Sequence, residues 1–215
     1  MQINMLFKNR SEAGRALAAA LQKFKETKRT VVLGLPRGGV VTAYEVAKAL
    51  HLPLDIIVPR KIGAPDNPEL AIGALAGGSV MLDKELIALL NVPEDYIQVA
   101  IEREQKEAKR RLALFRKGQR EQDWAGWTAI LVDDGIATGS TMRASIAALK
   151  KMHAAKIVVA VPVGPPDTID NIKQEVDEVV CLYTPSSFMA VGQFYDQFPQ
   201  TSDEEVVELL RNSWK

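Results

Sequence analysis

Residues 130–141 have the sequence Ile-Leu-Val-Asp-Asp-Gly-Ile-Ala-Thr-Gly-Ser-Thr. The first three residues are apolar and predict a buried strand, and Asp133 and Asp134 follow where that strand ends. A turn of small and hydroxyl-bearing residues comes next, and an amphipathic helix begins near Ser140. Strand, turn and helix in this order are the unit of open, mostly parallel α/β sheets. The stretch therefore predicts the fold class and marks one loop at the carboxyl end of a strand.

The same stretch predicts a site for a sugar that carries a phosphate. The carboxylates of Asp133 and Asp134 can accept hydrogen bonds from neighbouring ribose hydroxyls. The turn offers hydroxyls and backbone N–H groups at a helix N-terminus, where unsatisfied donors and the helix dipole favour an anion. Its residues are Ala137, Thr138, Gly139, Ser140 and Thr141. Each half alone is more often a plain turn or a helix cap, but the combination favours a binding site.

The composition predicts an ordinary globular protein. The chain has 215 residues, of which 47% are hydrophobic and 25% charged, with 27 basic and 27 acidic side chains. This length suits one large domain or one domain with a small appendage, and zero net charge gives no support to nucleic acid or an anionic membrane as a partner. A single cysteine, Cys181, excludes an internal disulfide. No apolar run approaches the roughly 20 residues that span a bilayer, and no secretory signal is evident, so we expect a cytoplasmic protein.

Strand-like runs alternate with helical patterns along the chain, which predicts a doubly wound, mostly parallel sheet. We expect strands at 30–35, 55–59, 128–132, 157–161 and 179–183, and helices at 10–27, 39–51, 96–117 and 203–212. Residues 72–76 and 79–82 predict a short antiparallel pair around Gly77-Gly78. The mixed charges of 102–111 predict a solvated helix face, with polyanion binding as the alternative. Ligands of such sheets bind beyond the carboxyl ends of the strands, which directs attention to the loops after Leu35, Pro59 and Val132.

The loop after the first strand has the sequence Gly-Leu-Pro-Arg-Gly-Gly-Val at 34–40. Gly38 and Gly39 permit close approach of the backbone to a ligand and positive φ angles, and Arg37 supplies a permanent cation. The alternative is a tight turn whose arginine faces solvent.

The loop after the second strand, 58–71, begins with two adjacent cations and continues with Gly, Pro and Asn. This composition predicts a mobile segment that could close over a substrate. Lys61 is the stronger candidate for contacting an anionic ligand, because Arg60 is equally suited to pairing elsewhere on the surface. Glu69 could serve as a metal or substrate ligand or could be a solvated loop acid.

These motifs together resemble the type I phosphoribosyltransferases, and in particular a bacterial subgroup assigned to that family by similarity. The resemblance rests on the acid pair with its Thr-Gly-Ser-Thr turn, the Pro-Arg-Gly-Gly turn, the Arg-Lys-Ile-Gly-Ala-Pro segment and the terminal segment 190–198. It implies one domain over residues 1–215, with the N-terminal helix and about 184–215 forming a hood. It also implies that Arg37, Gly38 and Gly39 hold a diphosphate through N–H groups exposed by an unusual peptide geometry, and that the protein is a homodimer.

The implied reaction transfers the phosphoribosyl group of 5-phospho-α-D-ribosyl 1-diphosphate to a nitrogen acceptor, a nucleobase or related heterocycle, as in nucleotide salvage. That donor carries about five negative charges, so Mg²⁺ is the expected cofactor. Mg²⁺ would bind mostly through substrate oxygens, with Asp133 and Asp134 contributing indirectly. Arg37, Lys61 and the metal would stabilise the leaving diphosphate, and the two aspartates would stabilise positive charge on the ribose ring.

Acceptor recognition and proton transfer are less well marked in the sequence. Phe188 and Tyr195 could stack on a heterocycle, or these aromatic residues could pack the C-terminal segment onto the domain. Purine-salvage relatives carry an acid in the phosphate turn where this chain has Ile136-Ala137, so no general base is apparent. A non-catalytic sensor of phosphoribosyl diphosphate is therefore the rival interpretation. A dinucleotide-binding Rossmann domain is disfavoured, because no Gly-x-Gly-x-x-Gly follows the first strand.

Overall fold

The computed structural model describes residues 6–68, 70–117 and 122–213. Along the chain its helices and strands are α1 (Arg10–Ala20), β1 (Thr30–Gly34), α2 (Gly38–Leu50), β2 (Leu54–Ile56), β3 (Arg60–Gly63), β4 (Ala71–Ala76), β5 (Ser79–Leu82), α3 (Lys84–Leu89), α4 (Glu94–Arg116), β6 (Thr128–Val132), α5 (Ser140–Lys151), β7 (Lys156–Val163), α6 (Pro166–Lys173), β8 (Glu178–Tyr183) and α7 (Asp203–Ser213). Single 3₁₀ turns lie at Gln22–Phe24 and Val191–Phe194.

The main layer is a five-stranded sheet with the order β2-β1-β6-β7-β8, in which every neighbouring pair is parallel. Both faces are buried, because residues alternate between two hydrophobic clusters. Val32 and Ile130 pack on one side, and Leu33 and Leu131 pack on the other. Such strands appear as continuous apolar runs in the sequence, which is why they could be predicted. The predicted α/β fold class is confirmed.

A second, antiparallel sheet with the order β3-β4-β5 lies beside the first. The predicted hairpin around Gly77-Gly78 is confirmed. Residues 60–63 differ from the expectation of a mobile loop, since they form β3, which pairs with β4 and places Lys61 opposite Ala74. Because β4 pairs with β3 as well as β5, the backbone groups on both of its edges are hydrogen-bonded, which stabilises the sheet. The loop-like composition of 58–71 gives no indication of this pairing.

The C-terminal segment packs on the N-terminus. Phe7 and Tyr195 form an isolated parallel bridge, and the N–H of Leu6 donates to the carbonyl of Phe194 at 2.9 Å. Helix α7 packs against α2 and α4. Helix α1 ends at Ala20, earlier than predicted, and its cap is Asn9, whose side chain accepts from the N–H of Glu12. Within the described ranges, no helix is long and apolar enough to cross a membrane.

Candidate active site

Two of the predicted loops meet at one point on the carboxyl edge of the main sheet. The turn that follows β1 and the turn that follows β6 belong to adjacent strands, and the strand order reverses between them, since β2 lies on the other side of β1. This reversal is the position at which open α/β sheets bind their ligands. The fold therefore brings the Pro-Arg-Gly-Gly turn beside the two aspartates.

Gly38 and Gly39 allow the first turn to contact the acid pair directly. A Cβ atom at Gly39 would lie 2.6 Å from Oδ1 and 2.9 Å from Cα of Asp133, distances that real Cβ contacts essentially never show. A Cβ atom at Gly38 would overlap with Oδ2 of Asp134. Both glycines lie in the first turn of α2 and neither has a positive φ. Glycine is therefore required at both positions because the backbone there passes close to the two aspartates.

Arg37 lies at the same turn, and the peptide bond between Pro36 and Arg37 is cis. The unusual peptide geometry that the family resemblance implies is thus present. Helix α2 begins at Gly38, so the N–H groups of Gly38 and Gly39 lack acceptors within the helix and can bind an anion, whereas the N–H of Val40 donates to the carbonyl of Arg37 at 3.1 Å. The Arg37 side chain is 37% exposed, and its Nη1 lies 3.7 Å from Oδ1 of Asp203 at the start of α7. The turn thus combines helix-start donors with a partly exposed cation.

Asp133 and Asp134 form a partly buried, interacting pair, and the side chain of Asp134 is 14% exposed. The N–H of Asp134 donates to Oδ1 of Asp133 at 2.8 Å. Burial, and next the charge of Asp134, raises the pKa of Asp133 well above its usual value. Burial also raises the pKa of Asp134, although the hydrogen bond and charge of Arg10 oppose that rise. Two neighbouring carboxyl groups that are partly shielded from water resist ionising together, so a ligand that brings hydroxyl donors or a cation is favoured.

Arg10 is the main site residue that the sequence did not reveal. Its Nε donates to Oδ2 of Asp134 at 2.6 Å, and its Nη1 donates to the carbonyl of Pro199 at 2.7 Å. The guanidinium also lies over the ring of Phe198, 3.7 Å from the centroid. One indication of its role was present in the sequence, because Arg10 is the first residue of helix α1, where the helix dipole disfavours a cation. Tertiary contacts explain why an arginine occupies that position.

Residues 137–141 form a tight turn into α5, as predicted. Gly139 has a φ of 79°, a conformation that favours glycine, and α5 begins at Ser140. The carbonyls of the turn are tied to neighbouring side chains. Thr168 donates to the carbonyl of Ala137 at 3.1 Å, and Arg143 donates to that of Thr138 at 3.2 Å. These bonds brace the turn, and the first N–H groups of α5 have no acceptor within the helix.

The two aromatic candidates for acceptor stacking differ in exposure. Tyr195 is only 4% exposed, and its ring lies 5.6 Å from that of Phe7 and 4.9 Å from that of Phe198. Its hydroxyl donates to the carbonyl of Asp134. The Tyr195 ring thus has no free face, which corrects the stacking interpretation in favour of packing. Phe188 is half-buried against Phe194, with 5.1 Å between the ring centroids.

The cations after β2 have different environments. Lys61 is exposed on β3. Arg60 pairs with Glu104 of α4, with 2.8 Å between its Nη2 and Oε2, which confirms that it pairs elsewhere. Glu104 is buried, so the charged helix is not a fully solvated face, although Glu107 pairs with Arg111 across one turn as expected. Glu69 lies outside the described residues.

The acid pair fits a magnesium ion by the chemistry of its oxygens. Asp133 and Asp134 supply hard carboxylate oxygens, the ligand type that magnesium prefers. Among the described residues, no group of three or more His, Cys, Asp or Glu side chains is placed to hold a metal.

Comparison with known proteins identifies the family. Residues 3–76 and 62–199 match the family model described as a phosphoribosyl transferase domain. The chain belongs to the phosphoribosyl transferase family. Two relatives from strains of Mycobacterium tuberculosis, named “Putative phosphoribosyl transferase MT0597” and “Putative phosphoribosyl transferase Rv0571c”, are each 46% identical over 206 residues, or 95% of this chain. The chain spans about half of their length, 46% in each case.

The fold of this family member is shared with a solved structure. The crystal structure of TT1426 from Thermus thermophilus matches with a TM-score of 0.82 and 38% identity, and the match covers 97% of this chain and 99% of that one. The resemblance drawn from the sequence motifs is therefore confirmed. Phosphoribosyl transferases are enzymes of the glycosyltransferase type.

Proposed function

We propose that this chain is a magnesium-dependent phosphoribosyltransferase that moves the 5-phosphoribosyl group of phosphoribosyl diphosphate to a nitrogen acceptor. One observation supports this most strongly. The Gly38-Gly39 turn touches the Asp133-Asp134 pair, because a side chain at either glycine would collide with the adjoining acid. The N–H groups that would bind the diphosphate therefore lie next to the carboxylates that would bind the ribose, at the switch point of the sheet.

The donor substrate would lie across the two turns. Its 5-phosphate would accept hydrogen bonds from the N–H groups and hydroxyls of residues 137–141 at the start of α5. Its ribose hydroxyls would donate to Asp133 and Asp134. Its diphosphate would contact the first turn of α2, with Arg37 and the exposed Lys61 as cations. Magnesium, when bound, would offset diphosphate charge and so favour its departure.

The reaction breaks the bond between C1 of the ribose and the diphosphate oxygen, whose electron pair leaves with the diphosphate. The acceptor nitrogen forms a new bond to C1 from the opposite face and then loses its proton. Positive charge on the ring in the transition state would be stabilised by the aspartates, and negative charge on the leaving group by the α2 N–H groups, Arg37 and Lys61.

The acceptor would bind next to the hood. Phe188 is the remaining aromatic candidate for contact with a nucleobase-like heterocycle, since Tyr195 is enclosed. Ile136 is buried and Ala137 is apolar, so the phosphate turn supplies no general base. An acceptor whose nitrogen is already deprotonated, or loses its proton to water, suits this site better than a 6-oxopurine.

The alternative is a protein that binds phosphoribosyl diphosphate without turning it over. The apolar Ile136-Ala137 pair favours this, whereas the exposed Lys61 favours catalysis, because a sensor has less need of a cation for the leaving group. We also propose, from the family resemblance, a homodimer that acts in the cytoplasm in nucleotide salvage. Sedimentation of the purified chain tests the dimer.

The deciding experiment measures diphosphate release from phosphoribosyl diphosphate and magnesium with a panel of purine, pyrimidine and nicotinate-like acceptors. Release that depends on one acceptor supports the transferase. The Asp133→Asn/Asp134→Asn double variant is the matched negative control and should release no diphosphate. If calorimetry detects binding of the donor but no acceptor in the panel triggers release of diphosphate, the result would support the sensor. Absence of both would refute the proposed site.

A further inference from the structure

Arg10 is a buried cation at the junction of three segments of the site. It is 9% exposed and belongs to α1, and its Nε binds Oδ2 of Asp134. A Cβ atom at Gly38 would lie 2.7 Å from that Nε. Arg10 therefore lies against the diphosphate turn and one of the acids at the same time.

The guanidinium is held in place by contacts that do not involve Asp134. Its Nη1 donates to the carbonyl of Pro199 at 2.7 Å, and Phe198 lies under its plane at 3.7 Å. Both residues belong to the segment that precedes α7. Hydrogen bonding and stacking of this kind fix an arginine better than a lysine. The cation thus has its own support and can act as a fixed partner of Asp134.

A fixed cation at this position solves an electrostatic problem of the proposed function. The donor substrate carries about five negative charges, and it would have to approach two partly buried carboxyl groups. Magnesium offsets part of this charge, but it does not hold Asp134 in place. An arginine that binds one oxygen of Asp134 offsets that carboxylate and fixes its orientation, and the helix dipole gives no reason for a cation at the start of α1.

We propose that Arg10 is a positioning residue, which orients Asp134 toward the ribose and offsets its charge so that phosphoribosyl diphosphate can bind. This inference rests on the proposed function. Because Pro199 and Phe198 hold the guanidinium of Arg10, recognition of the ribose would also require that the segment before α7 is in place.

The test compares Arg10→Gln with the wild type in calorimetric titrations of phosphoribosyl diphosphate at several magnesium concentrations. We expect the dissociation constant to rise at least about tenfold, and the magnesium concentration for half-maximal binding to rise as well, because the metal must offset more charge. Arg15→Gln is the matched control, since Arg15 lies on the same helix with a side chain that is 59% exposed. It should bind as the wild type does. Arg10→Lys should give an intermediate constant.

A double variant separates positioning from mere stabilisation of the fold. The variant Arg10→Gln/Asp134→Asn removes both charges, so no unpaired charge remains in the site. It should therefore fold even if Arg10→Gln does not. If Arg10 acts through Asp134, the double variant binds no more weakly than Asp134→Asn. The inference would be overturned if the losses of affinity in the two single variants multiply in the double variant. It would also be overturned if Arg10→Gln lowers the Tm but leaves the affinity and the magnesium dependence unchanged. Wild-type protein that does not bind the donor would refute the proposed function itself.

Discussion

Replacing Gly39 with alanine tests whether the contact between the two turns matters for binding. The new Cβ would lie 2.9 Å from Cα of Asp133 and 3.1 Å from the carbonyl oxygen of Val132. Both are backbone atoms, so rotation of a side chain cannot relieve the overlap. Either the start of α2 or the acid loop must move by several tenths of an ångström.

The expected magnitude follows from that movement. Overpacking of this kind costs roughly 1–3 kcal/mol of stability, or about 2–4 °C of Tm for each kcal/mol in a chain of this size. Displacement of a positioned catalytic group by about 1 Å can cost a hundredfold in rate. We therefore expect Gly39→Ala to bind phosphoribosyl diphosphate about tenfold to a hundredfold more weakly, with only a modest fall in Tm.

The assay is calorimetric titration of the donor with magnesium, together with thermal unfolding. Leu50→Ala is the control, because Leu50 is fully buried at the other end of the same helix. It should lose about 2–5 kcal/mol of stability and keep the wild-type affinity. Wild-type affinity in Gly39→Ala, or equal loss of affinity in both variants, would refute the role of the turn contact.

Three further predictions concern other parts of the molecule. Lys61→Ala should lower kcat more than the affinity for the donor if Lys61 stabilises the leaving group, and equal losses in steady-state kinetics would indicate uniform binding instead. Asp133→Asn should raise the Tm of the ligand-free protein near pH 8. The pKa of Asp133 is higher in the folded protein than in the unfolded chain, where it is about 4, so this aspartate destabilises the folded state increasingly as pH rises above about 4. The difference in Tm between the variant and the wild type should therefore shrink as pH is lowered toward about 4. Asp55→Ala removes the carboxylate that binds buried Arg116 at 2.9 Å, and chemical denaturation should show a loss of about 3 kcal/mol without a change in donor affinity.

The hydrophobic pattern of the sequence was sufficient to predict those helices and strands that are buried in a regular way. The strands β1 and β6 are apolar on both faces, and α2 follows a turn with a clear small-residue signal, so their positions were predicted to within a residue or two. For α5 the turn before it gave only the start of the helix, near Ser140. The sequence predicts a mobile loop where the structure has β3, since Arg60 and Lys61 give this strand no apolar pattern and its pairing with β4 is a tertiary contact. Helices α3 and α6 are short and were not predicted.

The sequence by itself determined the turn at residues 137–141, the acid pair and the glycine turn, because each is a local pattern of a few consecutive residues with its own chemistry. Only the tertiary structure decided how they combine. It placed Gly38 and Gly39 against the acids, joined Arg10 to Asp134 across 124 positions of the chain, and enclosed Tyr195, which the sequence had offered to an acceptor. Contacts between residues so distant depend on strand order and helix packing, which carry no local signature.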